Sequence, residues 1–173
     1  MWTYLPGRLF LLAALDVSQG NLVSTIDQWG KYFQVSAEIQ ITGLPTENWA
    51  NVFHFTTGEN NYELGSRIPG LWVNKSNQIL YFTSGVDQEK DYEYSHEFSL
   101  GQKYLIDILQ IPHGNGEALY QIRIDGNLVH NKTNSNAMDF DNVKVYLSDP
   151  WYESFQGKLT NFQWDKGTTK YQS

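Results

Sequence analysis

The chain has 173 residues, with 12 basic and 19 acidic side chains, a formal net charge of −7 and no cysteine. This length suits one domain that can bury a sizeable core without covalent crosslinks. The composition excludes a disulfide framework, a cysteine metal site and a thiol nucleophile, and the negative charge disfavours nucleic acid and anionic membranes as partners.

The first twenty residues admit two interpretations. Arg8 ends a short basic segment, an apolar run follows at residues 9–15, and small residues stand at 18–20, which is the pattern of a cleaved signal peptide. The same run also fits a first β-strand over residues 9–17, buried on both faces of a sandwich. It is too short to span a bilayer. Both interpretations stay open, and residues 21–173 are assigned to one domain.

The remainder of the chain is patterned as successive strands. Residues 33–41 alternate strictly between apolar and polar, which predicts a strand with one buried face and one wet face. The pair Asp125-Gly126 between two apolar runs predicts a tight hairpin. Many short strands without a helical period predict an all-β sandwich or barrel. Further strands are predicted at residues 51–56, 71–74, 78–83, 103–111, 118–124, 128–131, 143–148 and 158–164.

Several segments together resemble a known group of domains. They are residues 20–23, 32–41, 52–61, 65–72, 122–127 and 142–152, of which residues 65–72, with the sequence GSRIPGLW, are the most specific. The combination resembles lectin-like domains of marine invertebrates, cnidarians in particular, with a concanavalin A-like, laminin-G-like fold. The resemblance implies a jelly-roll β-sandwich of two antiparallel sheets in a secreted or extracellular protein.

The search for catalytic residues argues against an enzyme. Glycoside hydrolases of this fold carry two carboxylates on one strand with another acid between them, so that all point into one cleft. The predicted strand at residues 103–111 has Asp107 in the middle position, but Leu105 and Leu109 flank it. The chain also lacks a Gly-x-Ser-x-Gly elbow and a His-Glu-x-x-His motif. We therefore expect a protein without catalytic machinery.

Calcium is the metal that the sequence best suits. Sandwiches of this group often bind calcium at the rim, and calcium requires six or more oxygen ligands, which loops can supply. Glu59 and Asn61 stand in one oxygen-rich loop, and Asp149 and Glu153 stand in another. Ordinary turn chemistry also explains these residues, because Asn and Asp side chains cap turns.

The candidate ligand contacts are mainly aromatic. Sugars need an aromatic face for the apolar side of the ring and polar groups for the hydroxyls. Most of the aromatic side chains are expected in the core, with a minority at a ligand face. The candidates beside loops rich in Asn, Asp and Glu are Trp49, Tyr62, Trp72, Trp151 and Tyr152, and burial in the core explains Trp72 at least as well as a ligand contact does.

Two polar residues complete the candidate site. His54 stands opposite its apolar neighbours on a predicted strand, and we favour a partnered histidine within the sheet over a ligand contact. Arg67, in a stiff segment bracketed by glycines, is either a fork for a carboxylate or sugar hydroxyls or a clamp that pairs with Glu59 or Asp149. We favour the clamp.

These observations predict a secreted or surface-displayed protein that binds carbohydrate, with or without calcium. A first alternative is a carrier of an apolar pigment or lipid, held in a sandwich pocket or an oligomer interface. A second alternative is an adhesive or structural module that associates with itself as a homo-oligomer. Asn74 and Asn131 head N-glycosylation triplets, which would be used only in a secreted chain.

Overall fold

The computed structural model describes residues 17–166 in full and residues 2–5 and 8–11 as backbone, and every regular element in these ranges is a β-strand. The strands form two antiparallel sheets packed as a sandwich, which confirms the predicted fold class. The strands are β1 (Trp2–Leu5), β2 (Arg8–Leu11), β3 (Leu22–Trp29), β4 (Phe33–Gly43), β5 (Trp49–Thr56), β6 (Gly70–Asn74), β7 (Ile79–Val86), β8 (Glu89–Glu97), β9 (Lys103–His113), β10 (Glu117–Ile124), β11 (Asn127–Asn134), β12 (Phe140–Tyr146), β13 (Glu153–Ser154) and β14 (Gln156–Asp165).

The first sheet has the order β1-β2-β14-β4-β9-β10-β11, and the second has the order β3-β12-β5-β6-β7-β8. The short strand β13 pairs with β5 in parallel. On one side of the second sheet, β5, β6, β7 and β8 lie next to one another in chain order, and each is antiparallel to the next. The predicted Asp125-Gly126 turn joins β10 to β11, with both residues at positive φ, as a tight hairpin of this kind requires.

Alternation along the strands builds the core. In β4, Val35, Ile39 and Ile41 are fully buried, and in the neighbouring strand β9 Ile106 and Ile108 are fully buried as well. Inward side chains of the second sheet, including an aromatic group from β5, meet them between the layers. Because alternate residues of a strand point to opposite faces, each apolar position of the pattern faces this core.

The amino-terminal strands lie at one edge of the first sheet. β1 pairs with β2, and β2 pairs with β14. The alternative first strand at residues 9–17 overlaps β2 at residues 9–11, whereas residues 1, 6–7, 12–16 and 167–173 lie outside the described ranges. Cleavage of a signal peptide stays a prediction. None of the described residues forms a helix of the length and apolarity needed to cross a membrane.

Three strands of the second sheet, β3, β8 and the two-residue β13, were not predicted. β3 and β8 have mostly polar, exposed or half-buried side chains, and both lie at edges of that sheet. Edge strands bury little surface and therefore show a weak hydrophobic period. The position of β8 matters because its side chains contribute to the outer face of the second sheet, where the candidate site lies.

Candidate functional site

The outer face of the second sheet carries polar and aromatic side chains from β5 to β8. In β6, Leu71 and Val73 belong to the core, so the intervening Trp72 points to the outer face. The register places Trp72 opposite Tyr81 of β7. The same alternation directs Asp91 of β8 outward. Neighbouring strands therefore bring a row of aromatic and acidic groups onto one surface.

A long loop at residues 57–69 folds back over this face. Two backbone hydrogen bonds join the end of the loop back to β5: the Phe55 amide donates to the Pro69 carbonyl, and the Ile68 amide donates to the Phe55 carbonyl, each at 2.9 Å. Tyr62, near the middle of the loop, is 74% exposed. The loop thus forms one wall of a depression whose floor is the sheet.

The depression is an open pocket of about 110 Å³, which we call the aromatic pocket. Five of its lining residues are aromatic and three are charged. Aromatic walls with a few converging polar groups are typical of small-molecule sites. The lining residues are Trp49, Tyr62, Arg67, Trp72, Tyr81, Asp91, Glu93 and Tyr152.

Trp72 forms the floor of the aromatic pocket. A methyl group at Gly70 would lie 2.2 Å from the six-membered ring of its indole, so the ring can pack against the backbone at Gly70 only because that position has no side chain. The Trp49 and Tyr81 rings meet edge-on at 4.9 Å, and the Tyr152 ring meets Trp72 edge-on at 6.1 Å. The aromatic groups therefore brace one another around the opening.

Arg67 is held between two aromatic rings. Its guanidinium carbon lies 5.4 Å from the Tyr62 ring centre and 4.9 Å from that of Trp72. Nη1 donates to Asp91 Oδ2 at 2.8 Å, and Nε donates to Asn60 Oδ1 at 3.1 Å. The preferred interpretation as a clamp agrees with this geometry. The expected acidic partners of Arg67, Glu59 and Asp149, were wrong, because Arg67 pairs with Asp91 on the unpredicted strand β8.

The two carboxylates of the aromatic pocket have different surroundings. Burial raises the pKa of Asp91, whereas the adjacent Arg67 guanidinium acts in the opposite direction. Burial also raises the pKa of Tyr81, with a further contribution from its hydrogen bond to Glu93. The Arg67–Asp91 charges cancel, and the described salt bridges give Glu93 no cationic partner. The pocket therefore has a net negative charge.

Two buried polar atoms of the pocket-lining residues have no hydrogen-bond partner within the described part of the chain. They are the indole Nε1 of Trp72 and the Oδ1 of Asp91. Buried polar groups in native proteins are nearly always hydrogen-bonded to protein, water or ligand. One unused donor and one unused acceptor thus remain at the pocket.

His54 lies behind the aromatic pocket and has no exposed surface. Its Nδ1 lies 2.9 Å from Asp149 Oδ2, and its Nε2 lies 2.6 Å from the Ser66 carbonyl oxygen. The Asp149 carboxylate and the Ser66 carbonyl are both hydrogen-bond acceptors for the ring. The ring also meets Trp72 edge-on at 4.9 Å. His54 is thus a partnered histidine within the sheet, as expected, and no part of its ring is available to a ligand.

Asp149 joins this histidine to the segment that carries Tyr152. Its Oδ1 accepts hydrogen bonds from the backbone amides of Trp151 at 3.1 Å and Tyr152 at 2.9 Å. Through His54 and Ser66 the same carboxylate is connected to the 57–69 loop. The buried pair therefore fixes two walls of the aromatic pocket relative to each other.

The other predicted residues lie outside the pocket lining. Trp151 is 41% exposed and packs against His54 and Tyr146. Of the four calcium candidates, Glu59 bonds to Asn61, Asp149 is buried in the histidine pair, and Glu153 accepts from the Thr46 hydroxyl at 2.7 Å. No three His, Asp or Glu side chains form a metal-binding group within the described residues, so the calcium prediction gains no support from geometry.

Three lining residues were missed at the sequence level: Tyr81, Asp91 and Glu93. A signal for two of them exists, because Glu89, Asp91 and Glu93 alternate along one strand. This is the spacing of acids that the strand at residues 103–111 lacks. The stretch 87–97 is not predicted as a strand, because its acidic residues do not alternate with aliphatic ones.

Comparison with known proteins supports the fold alone. No family model matches the chain, and no curated protein sequence matches it. Among solved structures, a heptameric pentraxin of Limulus polyphemus is similar with a TM-score of 0.57 and 14% identity over 91% of this chain and 74% of that one. A Trypanosoma rangeli sialidase in complex with sialic acid has a TM-score of 0.54 and 12% identity over 95% and 26%. The receptor-binding domain of botulinum neurotoxin type G has a TM-score of 0.53 and 12% identity over 95% and 40%. The chain thus has a concanavalin A-like fold.

Proposed function

We propose that this protein is a non-enzymatic extracellular module that binds a carbohydrate ring in the aromatic pocket. The observation that carries the proposal is the arrangement of the lining: rings from Trp49, Trp72 and Tyr81 stand beside the charged groups of Arg67 and Asp91. A sugar presents an apolar face of C–H groups that packs on aromatic rings and a rim of hydroxyls that needs donors and acceptors.

The size and polarity of the pocket support a single sugar ring. A volume of about 110 Å³ is well below that of drug-sized sites. The charged lining disfavours the alternative of an apolar pigment or lipid, since such a ligand would desolvate the exposed Glu93 carboxylate without offering it a hydrogen-bond donor. Related folds include the sialidase solved with sialic acid and a botulinum neurotoxin type C structure that concerns two ganglioside molecules.

A glycan array followed by calorimetric titration of the best ligand tests this proposal. Replacement of Tyr62 by Ala removes an exposed ring, so the fold should be retained, and we expect the dissociation constant to rise about tenfold, as for a typical aromatic contact at a binding site. Tyr32→Ala, a ring deletion outside the pocket lining, is the matched control and should bind as the wild type does. Equal affinities for the two variants, or an array without signal, would refute the proposal.

The same titration decides the role of calcium. Binding in the presence of a chelator should equal binding with added calcium if the sugar is held by side chains alone. A large loss on chelation would instead support a calcium-assisted site at the rim, as the sequence-level resemblance implies.

Glycoside hydrolysis is a second candidate, favoured by the alternating acids Glu89, Asp91 and Glu93 on β8. Two of these line the pocket, and burial raises the pKa of Asp91, as a general acid requires. Against this, Asp91 is engaged with Arg67. Incubation with glycans bound on the array, with assay of reducing ends, tests it. Release of sugar that Glu93→Gln abolishes would establish an enzyme.

A further inference from the structure

The charge of the aromatic pocket restricts which sugar it can hold. Its three ionisable charges are Arg67, Asp91 and Glu93, and the first two are joined at 2.8 Å. The guanidinium is also covered on its faces by Tyr62 and Trp72. The positive charge of Arg67 is therefore neutralised within the protein by Asp91. Glu93 is the carboxylate of the pocket lining whose charge is left uncompensated among the described salt bridges.

Glu93 is placed to accept a hydrogen bond from a ligand. It is exposed on the outer face, and the Tyr81 hydroxyl bonded to it leaves other lone pairs free. The buried Oδ1 of Asp91, two residues away on the same face, is a second acceptor without a partner in the described chain. The exposed Glu93 carboxylate is thus the accessible acceptor beside the aromatic rings, and it carries the net charge of the pocket lining.

We infer that the aromatic pocket prefers a sugar that carries a free, protonated amino group over the corresponding neutral or acidic sugar. The inference rests on the proposed function. An ammonium group brings three donors and one positive charge, which matches the acceptor excess and the net charge of the lining. A carboxylate on the sugar would instead face Glu93 and Asp91 and be repelled.

Titrations with four related sugars at pH 6 test the inference: glucosamine, N-acetylglucosamine, glucose and glucuronate. The first two differ in the charge of one nitrogen, because acetylation removes it. We expect glucosamine to bind about tenfold more tightly than glucose, as for one charge-assisted hydrogen bond. Glucuronate should bind more weakly than glucose. The advantage of glucosamine should shrink in 1 M salt, which screens exposed charges.

Two isosteric variants identify the responsible group. Glu93→Gln should bind glucose and glucosamine equally. Glu97→Gln, with the same charge change on the same strand and face but outside the pocket lining, should keep the preference for glucosamine. Choline provides an ammonium without a sugar ring and should bind more weakly than glucosamine.

The outcomes separate the inference from the proposed function. Equal affinity of the wild type for glucose and glucosamine, or a preference that survives in Glu93→Gln, would overturn the inference and leave carbohydrate binding intact. Choline binding as tight as that of glucosamine would overturn the assignment to a sugar. Failure of the wild type to bind any sugar on the array or in titration would overturn the proposed function itself.

Discussion

The buried pair of His54 and Asp149 supplies the sharpest prediction about stability. Asp149 has no exposed surface and accepts three hydrogen bonds, from His54 Nδ1 and from the amides of Trp151 and Tyr152. Replacement by Ala leaves all three donors without their partner. Breaking a buried pair by removing one member costs about 3–5 kcal/mol. For a chain of this length that corresponds to a fall of roughly 6–20 °C in Tm.

Replacement of Asp149 by Asn should be milder, and this difference tests the hydrogen-bond assignment. The Asn Oδ1 can still accept from the two backbone amides, and its Nδ2 can donate to a neutral His54 that keeps its proton on Nε2 for the Ser66 carbonyl. Only the charge is lost, so we expect a cost of about 1–2 kcal/mol. Asp139→Ala, which removes an exposed carboxylate bonded to the Lys31 amide, should cost less than about 1 kcal/mol.

Urea denaturation followed by tryptophan fluorescence measures the free energy of unfolding of the three variants. The expected order of destabilisation is Asp149→Ala, then Asp149→Asn, then Asp139→Ala. A loss of less than about 1 kcal/mol for Asp149→Ala would show that the pair does not hold the two walls together. Equal losses for Ala and Asn would show that charge, not hydrogen-bond geometry, is what matters.

Three further predictions follow from single positions. Burial, with a smaller contribution from Lys132, lowers the pKa of His130 in the folded protein. The unfolded chain therefore takes up a proton first as the pH falls below about 6.5, and the free energy of unfolding decreases there. His130→Gln should flatten the dependence of the unfolding free energy on pH between 7 and 5. Gly70→Ala collides with the Trp72 indole and should weaken sugar binding at least tenfold by calorimetry, whereas a wild-type affinity would place the ligand elsewhere. Gly126→Ala meets no neighbour but strains a positive φ, so thermal melts should show a loss of about 1 kcal/mol and titrations no loss of affinity.

The fold was largely predictable because local sequence patterns mark its core strands and turns. The alternation in β4 and the Asp125-Gly126 turn are local signals, and each depends on residues within a few positions of one another. β8 was not predictable in this way. It is an edge strand whose outward side chains are mostly acidic and whose inward ones include two tyrosines but no aliphatic residue, so no apolar period marks it.

The candidate site was predictable in part. Trp49, Tyr62, Trp72 and Tyr152 were candidate ligand contacts because they stand in or beside polar loops, and the structure brings all four into one pocket lining together with Arg67, for which a structural clamp was favoured. The partner of Arg67 was wrong, since its choice depends on how three strands register with one another. That register is a property of pairing across the sheet and cannot be read from the spacing of residues along the chain.

The indole N–H resonances of the six tryptophans provide the most direct test of the central claim, that a sugar ring binds in the aromatic pocket. The signals are assigned by single Trp→Phe variants, and the wild type is titrated with glucosamine. The account predicts progressive shifts of the Trp49 and Trp72 signals, with the core residues Trp29 and Trp164 unchanged. Shifts confined to Trp151, or an unchanged spectrum at saturating sugar, would contradict it.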